Sequence, residues 1–410
     1  MTLNRFNKKK IKNLIILYPY PFTDIDYKRL EFDQLSLKHG YNVIIHDLSG
    51  FIISKTFAKE WKSDLYKNSI KFKNLYQWIL WVINFSKSYD KTIFFNYVTD
   101  FTFNSFLIRC YLLINKFRVI VEKNAEMLVQ KNNFSLNYIF NKIKENRFNY
   151  LFYINFLYKN FFKKLINFIK LNNEYILTNT KISRKKNIFK INSYEYSNFL
   201  LNRNKEKKYL IYQDTGGPFF GGDALHDFKK KEYNNNLINI WYNELNIFFD
   251  YIEKYFKSKL IIIPHPKYRK YNLKNKNLVP FFNNRKSIND IDATAKFIPK
   301  AKLVLASHLT TSLSHAILNY KPIIFLTSPT LEKIFLDQNI KQIRYFLQSL
   351  NLLKVDVTNY DKYNFYDFLK INKKKYYKYS SNILFSSNKN ISNKRNFELI
   401  NNIIKNILPK

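Results

Sequence analysis

The chain has 410 residues, with 69 Lys+Arg against 30 Asp+Glu, a net charge of +39, 46% hydrophobic residues and 18% aromatics. That apolar fraction excludes a disordered polycation, which lacks the side chains to offset the entropy of ordering, and the length suits two domains of ordinary size. With 58 Lys to 11 Arg, abundant Asn, Ile, Phe and Tyr, and lysines spread over nearly every expected surface, the charge reads as codon drift rather than the basic stripe of a specific nucleic-acid binder; a field of this sign still draws anionic lipids and phosphorylated substrates.

From the N-terminus, Lys8–Lys12 followed by Leu14–Leu17 superficially resembles a secretory leader. Its apolar run is too short and meets Pro19, so it reads as a first buried strand. Strands are expected at Leu14–Tyr18, Asn42–His46, Thr92–Asn96, Arg118–Glu122 and Tyr175–Thr178, with helices around Lys28–His39 and Tyr76–Phe85. Cys110 is the one cysteine, which excludes an internal disulfide and a cysteine-rich zinc site and fits a reducing compartment. Between Asn137 and Leu171, aromatics mix with lysines at helical spacing. A pair of core-packing helices is the preferred reading, and a helix lying in a membrane interface is the alternative.

A polar, lysine-rich stretch at Lys181–Lys208 marks a boundary, and a second series of strands follows at Tyr209–Gln213, Leu260–Pro264, Leu303–Ala306 and Ile323–Leu326. Apolar runs alternating with helical patterns indicate parallel sheets with crossover helices. The expected division is 1–190, 205–350 and a C-terminal helical segment 351–410 with a last helix at Phe397–Ile407. No stretch reaches the roughly 18–20 apolar residues of a membrane span, so a soluble or peripheral protein is expected.

Where drift has stripped the chain of Gly, Ala and His, those that remain mark positions that chemistry or backbone geometry requires. Four of the six glycines are Gly216, Gly217, Gly221 and Gly222; five of the eight alanines lie in Ala293–Ala316; four of the six histidines are His226, His265, His308 and His315. Three segments collect them. Tyr209–Gln213 runs into Asp214-Thr215-Gly216-Gly217, where an acid could orient a sugar hydroxyl or move a proton and the glycines allow close backbone approach; a capped tight turn is the plainer reading. Ile261–Ile263 ends in Pro264-His265-Pro266-Lys267, an imidazole held rigidly between prolines at a strand's carboxyl end, where ligands of open α/β sheets collect. Leu303–Ala306 runs into Ser307-His308-Leu309-Thr310-Thr311-Ser312 ahead of a helix, hydroxyls and free N–H groups suited to a nucleotide phosphate, beyond what a single N-cap at Ser307 or Thr310 requires.

In this order the three motifs resemble those of bacterial GT-B sialyltransferases and polysialyltransferases of surface-carbohydrate biosynthesis. The resemblance covers roughly residues 209–326. It implies a GT-B-like fold of two Rossmann-like doubly wound parallel-sheet domains facing a cleft, the first for acceptor and the second for the nucleotide sugar. It also implies transfer of a sugar, such as sialic acid from a CMP donor, onto a bacterial surface glycan or lipid-linked glycan. His265 would contact the donor phosphate beside Pro266 and Lys267, with Ser307, His308, Thr310, Thr311 and Ser312 around it and Gly216 and Gly217 at the strand end. A similar His-Pro and Ser-rich pair occurs in teichoic-acid-type glycerophosphotransferases, which leaves a CDP-glycerol or UDP-sugar donor as the alternative. This chain has Gln213-Asp214 where a pair of acids precedes glycine in the family.

Asp290-Ile291-Asp292 reads as a loop or helix cap rather than a metal motif, so a metal-independent transferase without cofactor is expected. The general base should come from the first domain: Asp26, after the Pro19-x-Pro21 turn and beside Arg29, is preferred, with Glu122 at the end of the fourth strand next and Asp24 and Asp100 behind them. Location at the inner face of the cytoplasmic membrane fits the charge. A non-catalytic basic protein binding membrane or nucleic acid is the competing reading of another class.

Overall fold

A computed structural model describes residues 13–53, 65–85, 91–98, 102–123, 150–168, 174–179, 187–201, 207–214, 235–264, 282–283, 285–290, 292–334, 337–386 and 388–407. In chain order the first half comprises β1 (Asn13–Tyr18), α1 (Asp24–Arg29), α2 (Phe32–His39), β2 (Asn42–Asp47), α3 (Ser49–Ile52), β3 (Ser69–Lys71), α4 (Leu75–Phe85), β4 (Thr92–Asn96), α5 (Phe103–Ile114), β5 (Arg118–Glu122), α6 (Tyr150–Phe168), β6 (Glu174–Thr178) and β7 (Ile188–Lys190). Through α7 (Tyr194–Phe199) follow β8 (Tyr209–Gln213), α8 (Asn235–Phe256), β9 (Leu260–Ile263), β10 (Lys286–Ser287), α9 (Ala293–Phe297), β11 (Ala301–Ala306), α10 (Leu313–Leu318), β12 (Ile323–Thr327), α11 (Pro329–Ile334), α12 (Asp337–Leu350), β13 (Lys354–Asp356), α13 (Lys373–Ile383), α14 (Lys389–Ser392) and α15 (Asn396–Ile407).

The strands form two sheets, in the orders β3-β2-β1-β4-β5-β6-β7 and β10-β9-β8-β11-β12-β13. Every pairing is parallel. Both sheets are doubly wound, the Rossmann-like pair of the expected GT-B-like architecture. Strand order reverses between β1 and β4 in one and between β8 and β11 in the other, and in such sheets the crevice beyond the carboxyl ends at the reversal is where ligands bind.

Apolar runs become strands because both faces are covered. In the second sheet Ile211, Ile261, Ile263, Val304 and Phe325 face one layer of helices, while Leu210, Tyr212, Ile262, Leu305 and Ile324 face the other. The segment 351–410 divides between the two cores: Tyr376, Tyr379 and Ile383 of α13 pack on the second sheet, whereas Phe397, Ile400, Ile403 and Ile404 of α15 return to the first sheet beside α2.

The helix expected over Lys28–His39 is two helices, because Glu31 between them takes a left-handed conformation at φ 59°. Of Asn137–Leu171, the described part is the single helix α6; residues 137–149 and 169–171 lie outside the described residues. The glycines of the first half answer to geometry. Gly40 ends α2 at φ +67°, a left-handed C-cap, and a Cβ on Gly50 would lie 2.3 Å from the Phe72 carbonyl oxygen.

Strand β2 also buries His46 completely. Trp78 Nε1–H donates to His46 Nδ1 at 3.1 Å, so the ring proton sits on Nε2, which finds no partner among the described residues. Burial pushes the imidazole down to about 3, and His315 in α10 down to about 4 through burial and the nearby Arg29 charge. A histidine lowered from 6.5 binds its proton only after unfolding, so stability is complete above pH 6.5 and is lost as pH falls towards the folded value. Each such group contributes about 1.4 kcal/mol per pH unit over that window. Asp26 and Asp47, held above 3.8 chiefly by burial, act in the opposite sense. Urea midpoints measured from pH 7 to 4 should therefore fall, and less steeply in His46→Leu; parallel slopes would contradict the assignment.

Candidate functional site

At the reversal of the second sheet, Gln213 ends β8 and Ser307 follows β11. Asp214 N–H donates to Ile263 O at 3.0 Å, which carries the β8–β9 pairing one residue past the strand and holds the buried Asp214 at the carboxyl edge. The Tyr212 hydroxyl lies 2.9 Å from Ser307 Oγ, both buried, and burial together with the Asp214 charge raises the Tyr212 phenol. Gln213 Nε2 donates to Ser312 Oγ, and Thr310 Oγ1 lies 2.9 Å from the same oxygen. The end of β8 is thereby tied to the hydroxyl loop after β11, across the reversal.

Two expectations for this loop need amendment. The amides of Leu313, Ser314 and His315 donate to the carbonyls of Thr310, Thr311 and Ser312 at 3.0, 3.0 and 3.1 Å, so they are not the free N–H groups expected at the helix start. Ser307 is committed to Tyr212, whereas Thr310, Thr311 and Ser312 are half-buried with His308 beside them. Ser312, not Ser307 or Thr310, stands at the N-cap position of α10, and its side chain makes no cap hydrogen bond. Gly216, Gly217, His265, Pro266 and Lys267 lie outside the described residues, as does Asp100.

At the reversal of the first sheet, Asp26 lies in α1 just beyond β1. Thr23 N–H donates to Asp26 Oδ2 at 3.1 Å, Thr23 Oγ1–H donates to it at 2.6 Å, and Asp26 N–H donates back to Thr23 Oγ1, a reciprocal cap of the helix. Tyr18 O–H donates to Oδ1 at 3.2 Å. Burial raises the carboxyl above 3.8, opposed by the Thr23 hydrogen bonds and the Arg29 charge. Asp24 occupies the first turn of the same helix.

Glu122, at the end of β5, accepts a hydrogen bond from Tyr194 O–H at 2.9 Å, and Tyr97 Oη lies 3.3 Å from Tyr194 Oη. Burial and the Glu122 charge raise both phenols well above 10. Since the Tyr18 and Tyr97 rings are 5.9 Å apart, the two candidate bases are joined through one tyrosine cluster at the carboxyl edge.

Arg29 connects the edges. Its Nη2 lies 3.2 Å from Glu195 Oε1 on α7, α7 packs against α10, and its charge acts on His315 of α10. The Arg29 charge thus acts on Asp26 of the first edge and on His315 of α10, the helix that follows the Ser/Thr loop. Gln213, His315, Tyr18 and Tyr194 were not singled out as site residues from sequence; the retained histidine at 315 was the available signal for one of them, and the tyrosines are lost among 32. Asp292 stands at the N-cap position of α9 without a side-chain cap, and its carboxylate pairs with Lys296 at 2.8 Å.

No family model matches the chain, and no curated protein matches it. Similar solved structures include Acinetobacter baumannii MurG (10% identity, 97% of this chain and 99% of that chain, TM-score 0.41). A Staphylococcus aureus MnaA structure with UDP has 13% identity over 97% of both chains, TM-score 0.45. Methanocaldococcus jannaschii UDP-GlcNAc 2-epimerase in complex with UDP-GlcNAc and UDP has 14% identity over 97% of this chain and 100% of that chain, TM-score 0.42. The fold assignment rests on the strand order of the two sheets.

Proposed function

We propose that the chain is a glycosyltransferase that moves a sugar from a nucleotide donor, with CMP as the nucleotide, to a hydroxyl of a surface glycan or lipid-linked glycan. The observation that carries this reading is the link that Arg29 makes between two unlike carboxyl edges, its charge acting on Asp26 at one and on His315, in the helix after the hydroxyl loop, at the other. One supplies a sheltered carboxyl with a raised pKa, and the other a loop of half-buried hydroxyls at a strand-order reversal.

In the proposed reaction the acceptor hydroxyl forms a bond to the anomeric carbon as the bond from that carbon to the donor phosphate breaks. The hydroxyl proton passes to Asp26, or to Glu122, and the electron pair leaves on the phosphate. Positive and hydrogen-bonding groups at the leaving oxygens lower the barrier because charge develops there. His265 and Lys267 would meet the phosphate with Thr310, Thr311, Ser312 and His308. Asp214 would orient a donor hydroxyl beside Gly216 and Gly217, and Gln213 holds the loop in register. No metal enters this scheme, so turnover should persist in chelator; an absolute Mg²⁺ or Mn²⁺ requirement overturns that part.

The reading is tested by a thermal-shift screen of CMP, CDP, UDP and GDP. A ligand that binds only the folded chain at a hundred times its Kd stabilises it by about 2.7 kcal/mol. CMP protection that persists at high salt is expected. UDP or CDP protection moves the donor to the alternative, and no protection by any nucleotide removes the transferase reading in favour of a charge-driven binder.

A further inference from the structure

Helix α6 turns part of its apolar surface outward. Phe162 is its buried anchor, packed against the rings of Phe103 and Phe106 of α5, while Tyr158 Oη accepts the Phe103 N–H at 2.9 Å, one of the donors a helix start leaves without an internal partner. That fixes the rotation of α6 and directs Leu157, Phe161 and Phe168 into solvent, where they are 66%, 57% and 84% exposed. With spacings of four and seven residues, the three fall on one stripe; the exposed Lys164 borders that stripe, and the exposed Lys163 lies on another face of the helix.

On α4, Trp78 and Val82 are buried in the same core layer that takes Ile108 and Leu112 of α5, and the outer side exposes Tyr76, Leu80 and Ile83, again four and three apart. One side of the first sheet therefore presents two exposed apolar stripes.

We propose that this side of the first domain is a docking surface for an anionic lipid bilayer, with α6 lying in the headgroup region. Exposed Phe and Leu bordered by Lys164 on a helix that also exposes Lys163 suit that boundary: the rings enter the acyl margin while the ammonium groups reach lipid phosphates. The net charge decides between occupants. A second copy of a +39 chain would set lysines against lysines, whereas an anionic leaflet attracts them at about 1 kcal/mol per residue near the surface. Among the described residues no helix is long and apolar enough to cross a membrane, so attachment would be peripheral. The surface is separate from the donor loop and does not depend on the nucleotide reading.

The test is cosedimentation of the full chain with vesicles of phosphatidylcholine alone and of phosphatidylcholine with phosphatidylglycerol, at low and high salt. The parent should pellet with the anionic vesicles. The triple variant Leu157→Ser, Phe161→Ser, Phe168→Ser, which keeps the charge unchanged and alters only exposed positions, should bind at least about tenfold more weakly with an unchanged Tm. Parent-like binding by the triple variant leaves charge alone as the cause and overturns the proposal. A parent that stays in the supernatant with anionic vesicles overturns it too, as does a dimer in sedimentation velocity that the three substitutions abolish.

Discussion

Asp26→Asn should fold as the parent does and turn over about two to four orders of magnitude more slowly, the range a positioned general base contributes. Asparagine keeps an acceptor for the Thr23 N–H and a polar group for Tyr18, so the reciprocal cap of α1 survives; Asp26→Ala would remove its side-chain half and leave Thr23 Oγ1 accepting the backbone N–H at position 26. What asparagine lacks is the carboxylate that takes the acceptor proton. Because burial raises that carboxyl above 3.8, the acid limb of kcat/KM should lie above the ordinary carboxylate range in the parent and disappear in Asp26→Asn. Near-normal turnover with the limb intact removes Asp26 as the base, and a parallel loss in Glu122→Gln would transfer the role to the carboxylate that Tyr194 holds.

Legibility followed hydrophobic pattern. The central strands announce themselves, since Leu14–Leu17, Ile261–Ile263 and Leu303–Ala306 are apolar on both faces. The outer strands do not. Ser69–Lys71, Ile188–Lys190, Lys286–Ser287 and Lys354–Asp356 are two or three residues long and their pairing is dictated by a neighbour rather than by their own side chains. In the site, scarce residues carried information because drift had removed their competitors. The hydroxyl loop was visible for that reason, and Gly40 and Gly50 likewise stand where backbone geometry requires glycine. Gln213 was passed over because its work, holding Ser312 across a gap of 99 residues, depends on two loops meeting, and no local pattern encodes that. The break in the first helix has the same origin: nothing local stops a helix at Leu30-Glu31.

What stops it is the C-terminus, and this carries the largest stability effect expected in the chain. Glu31 is fully buried; its Oε1 accepts from Arg395 Nη2 at 2.7 Å, Arg395 Nε at 3.0 Å and Ser197 O–H at 2.8 Å, and its Oε2 accepts the Phe397 N–H at 2.8 Å. Ser197 Oγ in turn accepts the Asn396 N–H, and the Asn396 side chain bonds the backbone of Asn192. One carboxylate thus closes the start of α15, the linker helix α7 and the junction of α1 and α2. Glu31→Ala leaves a mostly buried guanidinium and a buried amide without their acceptor, a change that costs about 3–5 kcal/mol. In guanidinium chloride the midpoint should fall accordingly, with α15 released from the first sheet. The double variant Glu31→Ala, Arg395→Met should recover part of the loss, because the stranded charge goes with the arginine, but not all, because Ser197 and the Phe397 amide still lack an acceptor. A single-variant loss below about 1 kcal/mol, the range of an exposed pair, would mean that the apolar face of α15 suffices to hold the C-terminus. The carboxylate would then direct the bend at Glu31 without stabilising the join.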